Sequence, residues 1–249
     1  MDHNINSLIG YAIVAIDGEI GRVKDFYFDD DTWTIRYLII DTGGWLFSRK
    51  VLLSPQAILN TDWDNRIFHV DLFKEQIKNS PDIDTEKPVS RQEEIKLQEH
   101  YQWSGYLDNG LYTGNAPVSV YEVLSKNADY SDHNKSDGDP HLRSTNMVTG
   151  YSLKAIDGSI GDINNLMLND ITWQIDYMVV DTGLWWPGKR VLISPKWIKE
   201  ISWKNSTVTI IHSIEAVKSS PAYIPGQPLS DEYLLKLHDH FKELADTTE

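Results

Sequence analysis

The phrase YAIVAIDGEIG at Tyr11–Gly21 returns as YSLKAIDGSIG at Tyr151–Gly161, 140 positions later. The same offset aligns Trp33 with Trp173, DTG at 41–43 with DTG at 181–183, VLLSP at 51–55 with VLISP at 191–195, and Trp63 with Trp203. No gap is needed between Gly10–Tyr101 and Gly150–Phe241, and roughly a third of those positions are identical. A period this long exceeds the 20–50 residues of solenoid repeats. The chain is therefore read as a duplicated domain, and any fold proposed for it must be built twice.

Each copy has the pattern of a β-rich unit. The DG pairs at 17–18 and 157–158 lie between apolar runs, the strongest short hairpin signal. In TWTIRYLIID, Trp33, Ile35, Tyr37 and Ile39 alternate with Thr34, Arg36, Leu38 and Ile40, as a strand requires. Short strands ending in Pro follow at KVLLSP and RVLISP, then hairpins turning at Asp64-Asn65 and Lys204-Asn205. Five or six strands in about 65 residues predict a small antiparallel barrel or sandwich. Two short helices follow in each copy, the second opening at Ser90 and Ser230; Ser90 precedes Glu93 at capping-box spacing. The expected organisation is a first β domain with its helical tail at 1–124, a polar linker at 125–145, and a second β domain at 146–249.

Composition limits function. The chain has no cysteine, which excludes disulfides, Cys-bound zinc and thiol catalysis. Its net charge of −14 leaves only RK at 49–50 and KR at 189–190 as basic pairs, which argues against direct nucleic-acid binding. No apolar run approaches the ~20 residues of a membrane span. The amino terminus lacks a signal-like pattern, so a cytoplasmic location is expected.

The string AIDGEIGRVKDFYFDDDTWTIRYLIIDTGGWLFSRKVLLSP resembles a PRC-barrel domain, and its second-copy counterpart resembles it too. The resemblance rests on G-x-I-G after a DG turn, then W-x-I-x-Y, DT, and V-L-hydrophobic-S-P. It implies two tandem antiparallel β-barrels serving as interaction modules, with no shared catalytic residues to carry over. Similarity to the barrel of the photosynthetic reaction centre H subunit, and to a domain of a ribosome-maturation factor, implies adaptor roles. The function expected is a non-enzymatic adaptor that binds a protein partner, built as a covalent pseudo-dimer. Further homo-oligomerisation is left open. A ribosome or RNA-maturation accessory role is the first alternative.

The second alternative is an acid-pair hydrolase using Asp41 and Asp181, because aspartic proteases bring two DTG carboxylates together. Turn chemistry is the simpler account of both. No catalytic residue, cofactor or metal site is assigned: Asp29, Asp30 and Asp31 form an Asp-rich turn that the second copy repeats only as Asn169, Asp170 and Ile171. His133 and His141 fall in the expected linker. For partner binding, the aromatic and basic segments after each DTG stand out: Trp45, Phe47 and Arg49, then Trp185, Trp186 and Arg190. Four aligned positions have swapped charge: Arg22/Asp162, Arg36/Asp176, Asp64/Lys204 and Arg91/Asp231. Since a two-fold axis brings residues near their own counterparts, Arg36 and Asp176 are expected at the interface between copies.

Overall fold

The computed structural model describes residues 1–46, 49–81, 96–97, 99–101, 141–183 and 188–246. Copy one contains β2 (Ala12–Ala15), β3 (Gly18–Asp29), β4 (Thr34–Asp41), β5 (Lys50–Leu53), β6 (Ile58–Asp62), β7 (Ile67–Val70) and helix α2 (Lys74–Lys78). Before it come β1 (Asp2–Asn4) and a single turn of helix, α1 (Ile5–Leu8). Copy two repeats the series. Its arm is β8 (Leu142–Ser144) and α3 (Thr145–Val148). Its sheet is β9 (Ser152–Ala155), β10 (Gly158–Asn169), β11 (Ile175–Asp181), β12 (Arg190–Ile193), β13 (Ile198–Ser202) and β14 (Thr207–Ile210). Helices α4 (Ile214–Ser219) and α5 (Asp231–Asp246) follow.

The strand orders are identical: β5-β4-β3-β2-β7-β6 and β12-β11-β10-β9-β14-β13. The mainly β, two-unit fold is as expected. One difference is that β2–β7 and β9–β14 pair in parallel, not antiparallel. A parallel pair cannot be joined by a hairpin; the chain reaches β7 only after crossing β3 to β6, which alternation along each strand does not reveal.

The DG turns close as predicted, with Gly18 at φ 131° and Gly158 at φ 155°. The glycine three residues on has a different reason. A Cβ on Gly21 would lie 2.1 Å from the Asp41 carbonyl oxygen, and one on Gly161 1.9 Å from that of Asp181. Only glycine lets β3 and β4 approach so closely there.

The long β3 is the organising strand. Its first half pairs with β2 and its second half, Arg22–Asp29, with β4. That leaves the edge at Tyr27–Asp29 beyond the reach of β2. Copy two covers it: Ser144, Arg143 and Leu142 of β8 pair with Tyr27, Phe28 and Asp29. Reciprocally, Asp2, His3 and Asn4 of β1 pair with Asn169, Leu168 and Met167 of β10. Each copy thus lends its amino-terminal arm to complete the other's sheet. The stretch expected to be linker up to residue 145 ends earlier, because Leu142–Ser144 is sheet.

The arms are apolar where they dock. Ile5 and Leu8 are 2% and 1% exposed, with α1 against β10; Val148 is fully buried, with α3 against β3. Each such side chain contributes about 1.5–3 kcal/mol on burial. These residues join Phe26, Phe28, Phe68, Leu166 and Met178 in one apolar cluster that runs through both copies.

Candidate functional site at the seam between the copies

Two aspartate-rich turns meet where the copies face one another. Trp33 and Trp173 each sit at φ 57°, in the left-handed region that bulky residues avoid. Each turn is closed locally, the Trp33 N–H donating to the Asp29 carbonyl at 2.7 Å and that of Trp173 to Asn169 at 2.9 Å. The unusual conformation turns each tryptophan carbonyl across the seam. Ile175 donates to the Trp33 carbonyl at 2.7 Å, and Ile35 to the Trp173 carbonyl at 2.8 Å. The Phe68 and Trp173 rings lie 6.0 Å apart across the same boundary.

The arms are latched by paired devices. A bulge in β3 around Asp25, and one in β10 around Asn165, re-aims each side chain toward the incoming arm. Asp25, 9% exposed, accepts from Ser144 Oγ at 2.5 Å, Thr145 Oγ1 at 2.9 Å and the Asn146 N–H at 3.3 Å. Asn165 occupies the equivalent place, accepting from the Asn6 N–H at 3.4 Å and donating to Asn4 Oδ1 at 2.5 Å. Further along, Arg143 donates to Asp30 at 2.8 Å and lies over the Trp203 ring, 4.3 Å from its centroid. In the other arm, His3 lies 3.1 Å from Asp170 and stacks on Trp63 at 3.8 Å. Each latch therefore joins a tryptophan of the arm's own copy to an aspartate of the other. Although partial burial alone would raise it, hydrogen bonds from the terminal amine and His3 hold the Asp170 carboxyl below the usual carboxylate range.

His141, expected in the linker, sits in this latch, with Nδ1 2.9 Å from Asp30 and 3.3 Å from Asp31. Those three residues are close enough to share a cation, yet Asp30 is already engaged by Arg143.

Asp41 and Asp181 each accept from the N–H two residues on, at Gly43 (2.9 Å) and Gly183 (3.0 Å). Thr34 and Gln174 form an antiparallel bridge, from which β4 and β11 diverge in opposite directions. At ~3.3 Å per residue the two aspartates end on the order of 40 Å apart, whereas sharing a proton needs ~3 Å. This separation gives no support to the acid-pair alternative. The same bridge sets Arg36 and Asp176 about 13 Å apart along the strands. Arg36, 8% exposed, lies 3.4 Å from Asp29; Asp176 accepts from Asn169 at 3.2 Å and lies close enough to Asp2 of the lent arm to act on its carboxyl.

Of the residues expected to bind a partner, Arg49 donates to the carbonyls of Lys78 (3.1 Å) and Ser80 (2.7 Å), pinning its loop to the end of α2. Lys189 does the same to Lys218 and Ser220. Arg190 pairs with Asp181 at 3.7 Å. Trp45 lies in a 3-10 turn at Gly43–Leu46. Phe47, Trp185 and Trp186 fall outside the described residues.

Two lent strands and two divergent turns define a duplicated β module whose halves complete one another. Residues 1–77 match the family model of the PRC-barrel domain, and the chain carries that domain. The second copy, beyond the matched residues, repeats its strand order. Over 90 residues the sequence is 31% identical to an uncharacterized protein of Deinococcus radiodurans, covering 36% of this chain and 32% of the relative. The chain thus spans about a third of the length of the curated relative it matches.

Proposed function

We propose that this chain is a non-catalytic, cytoplasmic adaptor: a covalent pseudo-dimer of PRC-barrel units that binds a protein partner. The observation that carries this reading is how the duplicated polar residues are used. Asp17 and Asp157 accept from the first N–H groups of α2 and α4, at 2.9 and 2.8 Å. Asp41 and Asp181 close turns, and Ser54 and Ser194 accept from Gln56 and Lys196 at 3.3 and 3.4 Å. The polar signature written twice is therefore the chemistry of caps and turns, which leaves recognition to the surface that diverged. No helix among the described residues is long and apolar enough to cross a membrane.

The binding surface in this reading is the aromatic pair of segments around Trp45 and Phe47 and around Trp185 and Trp186, with Arg49 and Arg190 anchoring their bases. The test is affinity capture on the intact chain from its native cell, with mass spectrometry, repeated with Trp45→Ala/Phe47→Ala and Trp185→Ala/Trp186→Ala. A partner that both variants lose supports the reading. Capture unaffected by either variant refutes the surface, and salt-sensitive recovery of ribosomal subunits replaces the adaptor with an accessory role in ribosome maturation.

A further inference from the structure

A cleft of about 550 Å³ opens at the seam, bordered by Asp31 and Trp33 of copy one and by Asp176, Tyr177, Lys196 and His238 of copy two. That volume lies within the range of small-molecule sites. The duplication created two equivalent seams, and they have diverged. In the other, the place of Asp176 is taken by Arg36, that of Asn169 by Asp29, and that of Lys196 by Gln56. There the Arg36 side chain, 6% exposed, lies against the Asp29 carboxylate and places the chain's own cation in that position. In the seam with the cleft the guanidinium is replaced by a shorter carboxylate.

We propose that this cleft binds a small organic cation, a guanidinium or primary ammonium, whose head takes from outside the place that Arg36 fills in the opposite seam. Two carboxylates, Asp31 and Asp176, border the cleft together with one ammonium, Lys196. Asp31 is 70% exposed at its side chain. Behind Asp176 lies Asp2, whose Oδ1 is buried with no hydrogen-bond partner. Burial, then the charges of Asp176 and Asp2, push the Tyr177 phenol up to about 12. Burial and then Asp176 likewise raise the Asp2 carboxyl above its usual value. A cation reaching Asp176 relieves this repulsion, and Trp33 and Tyr177, each almost wholly buried, line the wall beside it. Lys196 at the border accommodates an anionic tail, while His238 Nε2 is held 2.8 Å from the Tyr177 hydroxyl; the guanidinium head is the shared chemistry of two probes, agmatine and arginine.

The experiment is an NMR or calorimetric titration of the intact chain with agmatine, then with arginine and putrescine, at low ionic strength. Saturable binding is expected, with shifts confined to Trp33, Asp176 and Tyr177. Asp176→Asn, which keeps the shape and removes the charge, is expected to weaken it about tenfold or more. Asp176→Arg installs the residue already present in the other seam, and is expected to abolish binding while thermal unfolding stays unchanged or moves upward. Tighter agmatine than arginine binding places the site in the free amines; the reverse favours a zwitterion, and both keep the proposal. No saturation by about 10 mM agmatine, or equal binding by the wild type and both Asp176 variants, overturns it.

Discussion

Asp25→Ala removes one carboxylate and with it the docking point of the second copy's arm. Three groups of that arm lose their acceptor: Ser144 Oγ, Thr145 Oγ1 and the Asn146 N–H, as does the adjacent Phe26 N–H at 2.7 Å. Hydrogen bonds to a charged acceptor contribute about 1.5–3 kcal/mol each in mutational series, and they are not additive. Thr145 is 1% exposed, so its hydroxyl is left buried and unpartnered, which adds about 1–3 kcal/mol. A loss of about 3–5 kcal/mol is expected, against about 1 kcal/mol for Asp25→Asn, since Asn165 already does the same work in copy two. Urea unfolding of the single mutants, and of the pairs Asp25→Ala with Thr145→Ala and Asp25→Ala with Asn4→Ala, measures coupling. The crossed arms require coupling of about 1 kcal/mol or more between Asp25 and Thr145 and additivity between Asp25 and Asn4. Coupling to Asn4 instead would mean that each copy keeps its own arm, and the crossed arrangement would be refuted.

Three further perturbations follow from the same geometry. Gly21→Ala places a Cβ 2.1 Å from the Asp41 carbonyl and is expected to cost about 3 kcal/mol or more, whereas Gly43→Ala, with φ 56° and open space around it, costs about 1–2 kcal/mol; comparative thermal melts decide. Burial, then the neighbouring His240, lower the His212 pKa, so its contribution to stability is present above the unfolded value of ~6.5 and is lost as pH falls through it toward the folded one. His212 packs on Trp197 and Phe241; a His212→Phe variant is expected to flatten the pH dependence of unfolding below pH ~6.5. Asp2 shows the opposite sign. With a raised folded pKa it stabilises below the usual carboxylate value and loses that contribution as pH rises. Asp2→Asn should therefore raise Tm at neutral pH by about 1–2 °C after solvent screening, with the gain vanishing in acid.

The copies were legible in the sequence because turns and strand cores are local problems with few solutions. Asp-Gly, DTG and VL-hydrophobic-SP recur since a turn, a cap and a buried strand need those residues wherever the motif is placed. The arms were not legible. Residues 1–9 and 141–149 align with scarcely any identity, Asn6 with Asn146 being the exception. What they share is a role, a three-residue edge strand followed by one helical turn, and such an edge is defined by the strand it joins. His141 and Leu142 accordingly sat in a polar stretch that looked like linker, and their partners lie 110 or more positions away. Arg36 carried a partial signal. A charged residue on an otherwise apolar strand called for a neighbour, but finding Asp29 required knowing that β3 and β4 are adjacent. The cleft beside Asp176 needed both copies in place before its walls existed.

The crossed arms set an order of events during synthesis. Copy one emerges with the Tyr27–Asp29 edge of β3 bare, and the strand that covers it is not made until the ribosome has moved on from α2 to the end of α3 at Val148. At about 5–20 residues per second that interval is on the order of 4–14 s. For those seconds the nascent chain carries an open β edge able to accept any passing strand, including the same edge on a neighbouring polysome. Copy two, translated last, finds its own covering strand waiting.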